Sequence, residues 1–269
     1  MKRMILAGVA ALAMLGAGCI ESRMVVNVNK DGTGTIVTED FMSPQMTGMM
    51  ESFSQMGAVS NAVGSVPDPL AMFADQIEKK GAELGGKAKL TKKEAKTNAA
   101  GWKGFALTYS FDDVAQVLLP IGGGDKEKDT KENFKVEFKP GSPAVLRLVP
   151  PPQAAATPSA APAEADTPPG MDAQMGAMMG PMLAGMRISM EIRVNGKIVK
   201  SDAPNLTADK KGVTIFDIPM DKLVGNPEAM KLLMNKTAPE SEKMGKLVAL
   251  KLDGVKVTDS TKPITIEFE

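Results

Sequence analysis

The sequence predicts an α+β fold: an antiparallel sheet of hairpins, covered on one face by amphipathic helices and interrupted by a Pro/Ala-rich linker. Three observations lead there. Apolar and polar residues alternate over 105–111 and 188–194, the period of a strand with one buried face. Turn chemistry punctuates such runs at Asn29-Lys30-Asp31-Gly32 and Asn195-Gly196, the latter a strong hairpin signal. Cap-then-proline pairs, Ser43-Pro44 and Asp68-Pro69, open stretches of helical spacing, where Ser or Asp accepts from free N–H groups and proline sacrifices none. The strict βαβ order of a doubly wound sheet is missing.

Along the chain, residues 23–38 read as a hairpin, with Met24, Val26 and Val28 going out and Ile36 and Val37 returning. After Ser43-Pro44, Met42, Met46, Met49, Met50 and Phe53 recur at helical spacing. Leu70, Phe73, Ala74 and Ile77 mark a second amphipathic helix that ends near Gly81. Residues 87–94 form a weaker strand candidate, and 112–119 a short helix. Gly122-Gly123-Gly124 and the charged run behind it make a loop. Phe134, Val136 and Phe138 alternate with Lys135, Glu137 and Lys139, and Pro140-Gly141 turns the chain into 144–148.

Residues 150–170 contain seven Pro and seven Ala among 21 residues, a composition that cannot build a core and reads as an extended linker. Beyond it, Met171, Met175, Met178, Met179, Met182 and Met186 paint one helical stripe, which Pro181 kinks or ends. Ile188, Met190, Ile192 and Val194 make a strand, and 197–200 returns after Asn195-Gly196. Val213, Ile215, Phe216 and Ile218 form another. Residues 227–235 and 240–252 are helix candidates, and Ile264, Ile266 and Phe268 close the sheet behind Pro263. This organisation assigns 23–149 and 171–269 to two parts of one domain. The alternative, a separate second domain, stays open because a 20-residue structureless loop is unusual inside one domain.

The N-terminus carries an address. Lys2 and Arg3 precede an uncharged, mostly apolar run over 5–15, too short to span a bilayer and of signal-peptide length. Leu15-Gly16-Ala17-Gly18-Cys19 follows, and Cys19 is the only cysteine. These residues resemble the lipobox of bacterial lipoproteins, with Leu15 one step further from Cys19 than is commonest. The resemblance implies a signal peptide over 1–18. It also implies a diacylglycerol on the Cys19 sulfur, acylation of the new amino group (palmitate), and 19–22 as lipidated N-terminus and tether. One acyl chain binds only marginally, whereas two or three on one residue hold a protein in a membrane. Ile20, not Asp, follows Cys19, which by analogy implies the outer membrane, facing the periplasm.

Further stretches carry a second resemblance: 25–35 behind Cys19, Gly101-Trp102-Lys103-Gly104-Phe105, and Met186-Arg187-Ile188-Ser189-Met190 leading to 194–199. These are similar to a group of bacterial lipoproteins in which a DGSGT-like hairpin follows the lipidated Cys. The order of elements also resembles the LppM-type lipoprotein domain, whose fold is similar to lipid-binding modules of membrane contact proteins. Neither resemblance implies an enzymatic activity.

Composition narrows the chemistry. The chain has no histidine, which removes Ser-His-Asp triads, Cys-His dyads and most zinc or non-haem iron sites. Lipidation would consume the one thiol. Without residues 1–18, Lys2 and Arg3 are lost, and the 32 basic residues fall to 30 against 32 acidic, a net charge of −2. No basic patch argues for nucleic acid. Asn27 to Thr38 begins like an EF-hand loop but lacks the first Asp and the twelfth Glu. The pairs Glu39-Asp40 and Asp112-Asp113 read as structural. No metal and no cofactor is expected.

The methionines are the remaining candidates: Met42, Met46, Met49, Met50, Met171, Met175, Met178, Met179, Met182 and Met186 could line an adaptable apolar groove, because thioethers are soft and unbranched. The bland reading is that they fill gaps between helices and sheet, and Cu(I) is the weakest alternative. The expected function is a membrane-anchored, non-catalytic envelope lipoprotein that binds an apolar ligand or lipid through Met-rich helices. The alternatives are an assembly protein docking another envelope protein and, third, a His-free hydrolase.

Overall fold

The computed structural model describes residues 20–48, 52, 75, 88–121, 133–151, 185–235 and 238–269. Among these residues twelve strands form two sheets. The first has seven strands in the order β11-β10-β8-β1-β2-β4-β3: β1 (Ile20–Val28), β2 (Gly34–Met42), β3 (Lys89–Thr97), β4 (Lys103–Phe111), β8 (Arg187–Val194), β10 (Gly212–Pro219) and β11 (Lys256–Val257). The second has five in the order β5-β6-β7-β12-β9: β5 (Leu119–Pro120), β6 (Asn133–Lys139), β7 (Ala144–Val149), β9 (Ile198–Ser201) and β12 (Ile264–Phe268). Helices are short: α1 (Met220–Val224), α2 (Pro227–Met234) and α3 (Glu240–Leu250), with a 3-10 turn at Val114–Gln116.

The α+β expectation is therefore wrong. The described fold is mostly β, and the sheet is not covered by amphipathic helices. Val26, Ile36, Leu107 and Ile192 of the large sheet share one hydrophobic cluster with Phe134, Leu148, Ile266 and Phe268 of the small one. Alternation reveals that a strand has a buried face but not what buries it. Sheet on sheet satisfies the same pattern as helix on sheet. The helix predicted over 112–119 shrinks to the 3-10 turn because Asp113 Oδ1 accepts from Ala115 N at 2.9 Å and the chain is extended again at Val117.

The large sheet is antiparallel except at its centre. There β1 lies parallel to β8, with Met24 opposite Met190 and Val28 opposite Val194. Strands on either side of residues 150–170 thus pair directly, as do β7 and β12. The β1–β2 turn closes as the sequence implies: Asn29 N donates to Thr33 O, and Gly32 N to Asn29 O. Gly32 is required twice. Its φ is +88°, and a Cβ there would stand 2.9 Å from the ring of Phe138 on β6.

Asn195-Gly196 makes a corner instead of the hairpin it predicts. β8 stays in the large sheet, while β9 crosses to pair with β12. Lys197 N donates to Glu269 O at 2.7 Å, and Glu269 N to Lys197 O at 2.9 Å. Buried residues on both sides of the corner, Val194 and Ile198, explain the switch: one strand pair cannot feed two sheets without turning between them. The lysine-rich β3 is exposed along its length, which suits an edge strand that must not recruit another.

Candidate functional site

Register divides the large sheet into two faces. On one, Ile20 pairs with Met42, Ser22 with Asp40, Met24 with Thr38 and Val26 with Ile36. Tyr109, Leu107 and Phe105 continue that row on β4. This inner face is fully buried at the β1–β2 turn end, where Val26, Val28 and Ile36 are 0% exposed. Towards the start of β1 the cover thins: Ile20, Ser22, Met24, Phe105 and Ile188 are only half-buried. Ile20, Met24, Phe105 and Ile188 pack against the rim of the core. This end is the candidate site.

Two polar features lie in it. Ser22 Oγ donates to Asp40 Oδ1 at 2.7 Å. Thr38 is 8% exposed, and its Oγ1 has no hydrogen-bond partner. A buried hydroxyl without a partner costs about 1–3 kcal/mol.

Of the sequence-predicted site residues, Met42 and Met46 are buried in the core cluster. Met46 N donates to Ser43 Oγ at 3.3 Å, the cap that the Ser43-Pro44 pair implies, and residues 44–48 are helical. Met186 is half-buried, and its carbonyl accepts from Met220 N at 2.9 Å. Cys19, Met49, Met50, Met171, Met175, Met178, Met179 and Met182 lie outside the described residues, as do the helix predicted from Asp68-Pro69 and most of 150–170. Cys19 adjoins Ile20, which begins β1. One methionine-rich segment leaves behind Met42, and the other enters at Gly185. Residues 20–22, expected as tether, are strand.

The sequence reading missed Met24, Thr38, Phe105, Ile188 and Trp102. Their alternation was visible, but which end of the sheet loses its cover depends on where the second sheet sits. Trp102, in the β3–β4 turn, packs on Gly185: a Cβ there would be 3.1 Å from its ring.

The opposite face is an ion ladder. Lys96 pairs with Glu39 at 2.8 Å, Glu39 with Arg23 at 3.8 Å and Arg23 with Glu191 at 3.9 Å. Glu191 meets Arg193 at 2.6 Å, which also holds Asp209. Asp209 is drawn down to about 2 by the Thr207 hydroxyl first, then the Lys211 N–H and Arg193. At the Ile20 end, Arg187 grips Asp217 through two bonds of 2.6 Å, which hold it more firmly protonated. Three of the four carboxylates considered for chemistry have partners, and Asp112 is exposed. Glu39 belongs to the ladder, and Asp40 faces inward to Ser22. Asp113 caps its turn, and Asp31 accepts from Thr33 N and Oγ1. Among the described residues no group of three or more His, Cys, Asp or Glu could hold a metal ion.

Among the described residues two open clefts lie against the sheet. The larger, about 320 Å³, is at the β1–β2 turn end and is mostly polar, walled by Asn27, Asn29, Thr35 and Asp112. The smaller, about 200 Å³, lies between β3 and β4 at the candidate end, against Ala95, Lys103 and Phe105.

The chain is distantly similar to a solved lipoprotein domain. The NMR structure of the folded domain of Mycobacterium tuberculosis LppM aligns over 93% of this chain and 90% of that one, with 6% identity and a TM-score of 0.34. A likeness that loose carries no argument about ligand or mechanism. No protein-family model matches the sequence, and no curated protein does. No helix among the described residues is long and apolar enough to cross a membrane.

Proposed function

We propose that this chain is a non-catalytic lipoprotein of the bacterial cell envelope, held by acylated Cys19 in the outer membrane facing the periplasm. It takes an apolar ligand or lipid at the anchored end of its large sheet. The observation that carries the reading is the half-covered apolar end of that sheet, where Ile20, Met24, Phe105 and Ile188 are only partly buried, beginning one residue after the lipobox cysteine. An acyl chain would cover Met24, Phe105 and Ile188, and each CH₂ buried there contributes about 0.8 kcal/mol. The absence of histidine favours binding over hydrolysis.

Two measurements test it. In cells producing the full chain, the Cys19 peptide is expected to carry acyl mass, and Cys19→Ser to abolish that mass and shift the protein to the aqueous fraction. A chain beginning at Ile20, secreted without a lipobox, is expected to yield lipid on extraction and mass spectrometry. Recovery of none would leave the same surface to a protein partner.

A further inference from the structure

The starting point is how little chain separates Cys19 from the fold. β1 begins at Ile20, so the lipid-bearing residue adjoins an ordered strand at one peptide spacing, about 3.8 Å between Cα atoms. A thioether-linked glyceride on such a residue leaves the domain no slack. Whatever stands at the Ile20 end of the large sheet stands at the bilayer.

That end is built from several elements in register. Arg187 lies beside Glu21 on the parallel pair, Ile20 beside Met42, Met42 beside Lys103, and Lys103 beside Thr97. Met220 joins through its hydrogen bond to Met186. Trp102, the only tryptophan of the chain, sits in the turn just outside this row. Lys103 is exposed and makes no ion pair among the described residues. The acidic groups are largely engaged: Glu21 accepts from Asn98 Nδ2 at 2.5 Å, and Asp217 is held by Arg187. Asp221 remains in the first turn of α1. An apolar rim with one amphipathic aromatic and a free cation is the composition that settles at a headgroup boundary.

We infer that this end of the molecule, with Ile20, Trp102, Lys103 and Met186 at its edge, rests on the phospholipid surface that holds Cys19. The large sheet then stands with its strands directed away from the bilayer. This rests on the lipidation reading above and adds an orientation to it. Nine residues of β1 place the β1–β2 turn about 30 Å from that surface, and the polar cleft beside Asn27 and Asp112 faces the aqueous space.

The single tryptophan supplies the test. The full-length lipidated protein is reconstituted into vesicles of phosphatidylethanolamine, phosphatidylglycerol and a phosphatidylcholine brominated on its acyl chains. Trp102 is expected to lose most of its emission. In a second protein, Trp102→Phe with Leu118→Trp, the reporter moves to an exposed position, 43% accessible. That position follows the 3-10 turn whose Val114 N donates to Gly32 O in the β1–β2 turn, away from the Ile20 end, and it is expected to keep its emission. Protein that floats with the vesicles while Trp102 stays bright overturns the orientation and leaves the anchor standing. Equal quenching at both positions also overturns it. Protein that stays in buffer removes the anchor, and this inference with it. Should the double variant not fold, the Trp102 measurement decides alone.

Discussion

Thr38 sets a hydroxyl into an apolar row between Met24 and Leu107, where nothing pairs with its Oγ1. Valine has the same shape without the unsatisfied group. Thr38→Val is therefore expected to stabilise the ligand-free protein by about 1 kcal/mol, read as a higher urea midpoint at unchanged slope. A lower midpoint would show that the hydroxyl has a partner. Asp209 gives a pH dependence of known sign. Its folded value of about 2 lies below the ordinary 3.8, so the stability it adds is complete above about pH 4 and is lost as pH falls towards 2. Asp209→Asn removes that component. Urea midpoints between these pH values should then fall less steeply on acidification than in the parent protein.

Single elements show where local chemistry prevailed and where it did not. The Asn226 side chain accepts from Ala229 N at 3.0 Å, opening α2, with Pro227 behind it as the sequence implies. α3 starts at Glu240 as expected but ends on Lys251 in the left-handed region, φ 48° and ψ 44°. Glycine usually takes that position because it has no Cβ to crowd the carbonyl. Lys251→Gly is expected to raise stability by about 0.5–1 kcal/mol, visible as a higher midpoint in thermal unfolding. At Asn195-Gly196 the local signal lost. The residues ask for a tight hairpin, yet the chain turns a corner between sheets, because the Lys197–Glu269 backbone pair and buried Ile198 tie the returning strand to β12.

Across the whole molecule, the pairs β1–β8 and β7–β12 tie the chain before residue 150 to the chain after 185. Cutting the Pro/Ala-rich segment by limited proteolysis should therefore yield two fragments that co-elute in native size exclusion and separate only in denaturant. Fragments that separate without denaturant would mean that those ladders do not hold the two parts together. The ion ladder across the outer face adds little to this cohesion, since exposed pairs contribute about 0–1 kcal/mol each. It keeps that face solvated, leaving the inner face as the one that seeks apolar cover.

The sequence alone located most strands of the described fold, because alternation and turn residues are properties of neighbours along the chain. Residues 105–111, 134–138, 188–194 and 264–268 all lie in strands. It also carried the lipobox-like run before Cys19 and the lack of histidine, which are properties of composition and order. Only the tertiary structure decided that a second sheet, and not helices, covers the first, and that Met42 and Met46 belong to the core. It alone brought the start of β1, Phe105 of β4 and the start of β8 to one half-covered edge. Periodicity records that a face is hidden from water; the covering partner lies scores of residues away, and no local pattern encodes it.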